Sequence, residues 1–142
     1  MVHEGEFVVE LKDLDDMDLL TALVMGEAEG EPILGKIAVA WVVKNRIKDK
    51  RWPDMWQEVM LQPKQFSCFN STLLRADILK HDWRNPVWKE CKYAAFGVYT
   101  HYIRDVTNGA NHYHATWLKP PPRWAEGHDP VITIGGHRFY KL

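Results

Sequence analysis

The sequence of 142 residues predicts an α+β fold, mostly helical, with a small antiparallel β-sheet near the C-terminus. Three observations carry that expectation. Apolar residues recur at helical spacing from Leu14 to Met25 and again after Pro32. Asn85-Pro86 then opens a further stretch in which Trp88, Cys91, Ala95 and Val98 repeat at the same spacing. Near the end, Val131 to Ile134 and His137 to Tyr140 read as two strands around the two-residue turn Gly135-Gly136.

In chain order, the first helix starts at Asp15 or Asp16, where acidic side chains suit the helix dipole. Met17, Leu20, Leu23 and Val24 form its apolar side, and Gly26 and Gly30 interrupt it, placing Glu27 at or just beyond the last turn. The second helix begins at Pro32 and buries Ile33, Ile37, Ala40, Trp41 and Ile47, with Lys36, Lys44 and Arg46 facing outward. Trp52-Pro53-Asp54 separates it from a short helix near Met55 to Leu61, and residues 62–84 read as loops with short helical pieces. After the helix that Asn85 caps, Thr107 to Ala110 is a turn and Asn111 to Thr116 a strand.

The length suits a single domain over 1–142, with residues 1–17 as an acidic N-terminal extension. Hydrophobic residues at 46% and charged residues at 26% exclude a disordered chain. No apolar run reaches membrane-spanning length, and Met1 to Lys12 lacks the basic start and apolar stretch of a secretory signal. The expectation is therefore a cytoplasmic protein awaiting release, in the manner of a phage lysin, or a cell-wall or periplasmic one whose signal has been removed. Residues 1–31 carry ten acids and one base, residues 32–142 nine acids and seventeen bases. Such a basic body suits a polyanionic partner, either nucleic acid or the bacterial wall, although acids gathered at one end for solubility explain the asymmetry equally well. No nucleic-acid motif, phosphate-binding glycine loop or dinucleotide fingerprint is present, and no cofactor is expected. Cys68 and Cys91 are expected to be buried or free.

The densest chemical cluster is Gly26-Glu27-Ala28-Glu29-Gly30-Glu31. A helix C-terminus and like-charged neighbours both disfavour ionisation, so a carboxyl here is suited to protonating a glycosidic oxygen. The competing reading makes Glu31 a cap for the second helix and leaves Glu27 and Glu29 as solvated turn residues. The spacing is not that of an EF-hand calcium loop. His112 and His114 would share one face of a strand, with Tyr113 on the other. A zinc site built from them with His128 or His137 lacks the usual helical or paired-cysteine signatures. Of the seven tryptophans, Trp41 and Trp88 are core candidates. Trp117 and Trp124 flank Pro120-Pro121-Pro122 and are candidates for a cleft wall. Ser67 lacks the context of a nucleophile.

Read in order, Gly26-Glu27-Ala28-x-Gly30-Glu31-Pro32, the run Gly35 to Arg46, Pro63-x-Gln65-Phe66-Ser67, Gly109-Ala110-x-x-Tyr113-His114-Ala115, Pro122-x-Trp124-Ala125 and Ile134-Gly135-x-His137-x-Phe139-Tyr140 resemble the SleB-type cell-wall hydrolases. That family includes spore-cortex-lytic proteins and some phage endolysins. The resemblance implies a lysozyme-like, lytic-transglycosylase-like fold with Glu27 as the catalytic acid. It also implies a glycan cleft lined by Gln65, Phe66, Ser67, Tyr113, His114 and Trp124, with no metal. The substrate it implies is the peptidoglycan glycan strand, cut between N-acetylmuramic acid and N-acetylglucosamine by a monomer that inserts in no membrane and binds no nucleic acid. One carboxyl group suffices for a lytic transglycosylase, which leaves a 1,6-anhydro-muramyl end. A hydrolytic muramidase would need a second acid, for which Glu29, Glu31, Asp77, Asp82 and Asp105 are available. A non-catalytic peptidoglycan-binding module and a metal-dependent amidase are the remaining alternatives. Glu29 and the long stretch from Asn70 to Asn85, with Arg75, Lys80, His81 and Arg84, depart from the family pattern.

Overall fold

The computed structural model describes residues 10–62, 65, 66, 68 and 85–142. The loops expected over 69–84, and Ser67, lie outside the described residues. Helix α1 spans Asp16–Ala28 and begins where the Asp15 side chain accepts the Asp18 backbone N–H at 2.8 Å. Gly26 does not end it. The helix runs on to Ala28, so Glu27 sits inside the last turn rather than beyond it. Just before α1, a single 3₁₀ turn at Leu11–Asp13 puts Leu11 into the core, 2% exposed. The stretch assigned to an acidic extension is thus part of the folded body from Leu11 onward.

Helix α2 spans Ile33–Lys48, with Pro32 as its N-cap rather than its first residue. Gly35 through Val43 are buried without interruption. A helix covered on all sides needs no single apolar stripe. It is enclosed by α1, by the short α3 (Trp56–Met60), and by α4 (Pro86–Tyr99). This enclosure corrects the expectation that Lys36 and Arg46 face outward, because both are nearly inaccessible. Lys36 survives burial by donating to the Glu31 carbonyl and pairing with Glu90 Oε1 at 3.1 Å.

Helix α4 opens as the sequence suggests, with the Asn85 side chain accepting the N–H groups of Val87 and Trp88. It packs through the small residues Cys91, Ala94, Ala95 and Gly97. Gly97 is required by a close approach: a Cβ there would lie 2.2 Å from Ile103 Cδ1. Ile103 is held in place by its own N–H, which donates to the Gly97 carbonyl, and by its carbonyl, which accepts from Trp41 Nε1 at 3.1 Å.

The sheet comprises β1 (His112–Ala115), β2 (Ile132–Ile134) and β3 (His137–Tyr140) in the order β1-β3-β2, all antiparallel. Tyr113 faces Phe139 and His112 faces Tyr140 across β1–β3, while Ile134 pairs with His137 across the hairpin. Phe139 is fully buried against the helices. The two cysteines are not joined in a disulfide; Cys91 is buried and Cys68 half-buried. No helix among the described residues is long and apolar enough to cross a membrane.

Candidate active site

A cleft of about 610 Å³ opens between the C-terminal end of α1 and the turn that follows it, Arg46 in the last turn of α2, and the sheet. Its volume falls in the range of small-molecule sites. Glu27 lies on its lining. The two carboxylate oxygens are held from different directions, Oε1 by the Tyr113 hydroxyl at 2.5 Å and Oε2 by the Cys68 backbone N–H at 3.1 Å. Tyr113 is brought there by β1, whose register with β3 turns it away from His112 and His114 and toward the helices. Burial, and then the neighbouring Glu27, pushes the tyrosine well above its ordinary pKa. It stays protonated and therefore remains a donor.

Glu31 serves the hairpin rather than its own helix. Its Oε1 accepts the Gly136 N–H at 2.7 Å and lies 3.5 Å from His137 Nδ1. The approach is so close that a Cβ on Gly135 would stand 2.5 Å from Glu31 Oε1, and one on Gly136 would stand 3.2 Å from Oε2. Gly135 also has φ of +55°, where a side chain is disfavoured. The Gly-Gly turn thus shapes the hairpin and clears space for the carboxylate. His137 lines the cleft with its ring 5.0 Å from that of Tyr113. Burial lowers its pKa, against the opposing pull of Glu31 and Glu27.

On the other face of β1, Trp124 packs against His112 at 4.9 Å, His114 at 5.7 Å and Tyr140 at 5.2 Å. His114 borders the cleft, but both its ring nitrogens have protein partners, the Ala115 carbonyl and the Tyr140 hydroxyl, each at 2.9 Å. A carbonyl only accepts, so Nδ1 donates to it, while Nε2 shares a hydrogen bond with the Tyr140 hydroxyl. Among the described residues, no group of three or more His, Cys, Asp or Glu is placed to hold a metal ion.

The remaining sequence-derived site residues divide. Gln65 lies on the cleft and accepts from Arg46 Nη1 at 3.1 Å. Phe66 does not line it: at 2% exposure this ring belongs to the core, under the Arg46 guanidinium at 5.2 Å. Its expected place on the cleft wall is corrected to one beneath it, because the ring is the apolar support for a buried cation. Trp117 and Trp124 both line the cleft, whereas Trp41 is core and Trp88 packs partly buried against it. Of the possible second acids among the described residues, only Glu31 reaches the cleft. Glu29 is exposed, and Asp105 is occupied by Asn45, Thr107 and Gly109. Asp77 and Asp82 lie outside the described residues.

Residues 30–140 match the model of the cell wall hydrolase family. The chain belongs to this family. The catalytic domain of the Bacillus cereus SleB protein is similar in structure, with a TM-score of 0.70 and 28% identity over 89% of each chain. So is the catalytic domain of the germination-specific lytic transglycosylase SleB from Bacillus anthracis, with a TM-score of 0.69 and 27% identity over 89% of this chain and 93% of that one. Spore cortex-lytic enzymes of Halalkalibacterium halodurans and Bacillus subtilis are 40% and 38% identical over 54 residues, 38% of this chain. The matched stretch spans only 16% and 18% of the length of those two relatives.

Sequence reasoning missed two residues in this cell wall hydrolase's cleft, Arg46 and the hairpin-binding role of Glu31. Arg46 donates from Nε to the Asn111 carbonyl at 2.8 Å and packs over the rings of Trp52 and Phe66, joining α2 to the start of β1. Burial lowers its pKa, and Tyr113 opposes that shift. Its spacing carried the signal, since Val39, Val42, Val43 and Arg46 fall on one helical face.

Proposed function

We propose that this cell wall hydrolase cleaves the glycan strand of peptidoglycan between N-acetylmuramic acid and N-acetylglucosamine, as a lytic transglycosylase. The observation that carries this reading is Glu27 on the cleft, oriented through both oxygens by Tyr113 and the Cys68 amide. The Bacillus anthracis relative described as a lytic transglycosylase supports it.

In this mechanism Glu27 donates its proton to the glycosidic oxygen as the C1–O bond breaks. The muramic C6 hydroxyl oxygen then bonds to C1, and its proton returns to the Glu27 carboxylate. The ring closes as a 1,6-anhydro end and the acid is regenerated. No water has to be activated, so no second carboxylate is needed. Tyr113 and the Cys68 amide hold the carboxyl group in one orientation through both proton transfers, which is worth more to the rate than added affinity would be. Gln65, Tyr113, His114 and Trp124 form the walls around the sugar, with Phe66 beneath.

The hydrolytic alternative rests on Glu31, the other carboxylate on the cleft. Glu31 is engaged by Gly136 and His137, which favours a structural task for it. Digestion of purified peptidoglycan by wild type and Glu27→Gln, with products identified by mass spectrometry, separates the readings. Anhydro-muropeptides from wild type alone are expected. Reducing ends would make the enzyme a muramidase, and no cleavage of a digestible wall would leave a binding module. The protein is taken to act as a monomer on the wall after release from the cytoplasm. Light scattering and fractionation of the producing cells before and after lysis check those two points.

A further inference from the structure

Trp117 is 76% exposed, yet it lines the same cleft as Glu27. A single exposed aromatic residue is ordinary on a protein surface, so exposure alone carries nothing. Its setting carries more. Trp124, the other indole of this wall, packs on three rings, whereas Trp117 stacks on no ring among the described residues. One indole therefore builds the wall, and the other presents its faces to whatever passes the mouth.

The segment that carries Trp117 is fixed. The Thr116 N–H donates to the Gly136 carbonyl at 2.8 Å, and the Thr116 carbonyl accepts from Arg138 Nη1 at 3.3 Å. The Leu118 N–H turns back to the Ala115 carbonyl. Pro120, Pro121 and Pro122 follow, each with a restricted φ, before the Ala125 N–H closes the next turn on Pro122. A platform held in this way loses little freedom when a ligand settles on it.

The cleft's volume of about 610 Å³ is finite, while a wall glycan is a polymer. A strand cut within its length must leave the cleft across the mouth. Sugar rings offer apolar C–H faces, and the broad face of an indole is the surface in this wall that matches them.

We propose that Trp117 is an outer sugar platform at the cleft mouth, which determines how tightly glycan strands longer than the cleft are held. The proposal rests on the glycan-cleaving reading of the site. It makes Trp117 a specificity determinant for strand length, remote from the proton transfers at Glu27.

The test uses the full chain carrying Glu27→Gln, with Trp117 intact or replaced by Ala or Tyr. Each protein is titrated calorimetrically with peptidoglycan glycan fragments of one and of four disaccharide units. The expected result is roughly tenfold weaker binding of the four-unit fragment by Trp117→Ala. One-unit binding should be unchanged, and Trp117→Tyr should retain most of the affinity. With Glu27 intact, Trp117→Ala should raise KM on long strands and leave kcat alone. Equal weakening for both lengths, or none for either, overturns the proposal while leaving the reading of Glu27 in place. If neither fragment binds and wild type releases nothing from the wall, the glycan reading fails and the platform fails with it.

Discussion

The Tyr113 hydroxyl and Glu27 Oε1 lie 2.5 Å apart, joining residues 86 positions distant in sequence. The tyrosine comes from a four-residue strand and the glutamate from the last turn of a helix. Their meeting depends on β1 pairing with β3 in a register that points Tyr113 inward. Tyr113→Phe keeps the ring contacts with His137 and Phe139 and removes only the donor. The carboxyl group then loses the Tyr113 hydrogen bond that orients it. A misplacement of this kind costs on the order of 10²-fold in rate. Release of soluble fragments from labelled peptidoglycan should fall by about that factor, with the circular dichroism spectrum unchanged. Activity within about twofold of wild type would show that Tyr113 does not position Glu27.

Glu31 predicts a stability effect that is separate from catalysis. Glu31→Ala removes the acceptor of the Gly136 N–H, and an unsatisfied part-buried donor costs about 1–3 kcal/mol. Gly135→Ala attacks the same junction from the other side, combining strain at φ +55° with a Cβ only 2.5 Å from Glu31 Oε1. Urea denaturation should show both variants destabilised. The double variant should lose less than the sum, because Glu31→Ala removes the atom that the new methyl group would strike. Strict additivity would contradict a shared junction.

The sequence made the helix order, the Asn85 cap and the hairpin legible because each depends on local signals: periodicity, capping side chains and a Gly-Gly turn. Gly26 misled, since a single glycine weakens a helix only modestly and α1 is enclosed by its neighbours. Lys36 and Arg46 were misread for a related reason. Charge normally marks the solvated face, and these two are stabilised inside by partners far away in sequence, Glu90 for one and Asn111 for the other. Glu27 was legible as a carboxyl at a helix end. The donors from Tyr113 and the Cys68 amide were not, because they arrive through tertiary contacts.

The charge distribution predicts a salt response. Residues 32–142 carry an excess of eight bases over acids, and the proposed substrate is an anionic wall. At about 0.15 M salt the screening length is about 8 Å, so attraction beyond direct contact fades as ionic strength rises. Initial rates on intact walls should decline between about 0.05 and 0.5 M salt, while rates on short glycan fragments, which carry few charges, should change much less. A flat response on walls would remove electrostatic steering from the account.

Acid should weaken the fold in a window set by histidine. Burial, reinforced by Arg46 and Arg51, lowers His112 from 6.5 to about 4, and burial also lowers His137. Each histidine takes up its proton at lower pH in the native chain than in the unfolded one. Between about 6.5 and 4 the unfolded chain therefore binds more protons, so stability is complete above about 6.5 and falls as pH drops through that interval. Two carboxylates act with the same sign at lower pH. Asp49 is held to about 2 by Arg51, and Asp105 is kept low by bonds from Thr107, Asn45 and Gly109 that outweigh its burial. Their loss begins only as pH nears the ordinary carboxylate range of about 4, which leaves the higher interval to histidine. Melting temperatures measured from about pH 7.5 to 4.5 should decline in wild type. His112→Gln should start lower, having lost the 2.7 Å contact with Asn111 Oδ1 and the tilted ring contact with Trp124, but should decline less steeply. Parallel slopes for the two proteins would remove His112 as a source of the acid sensitivity.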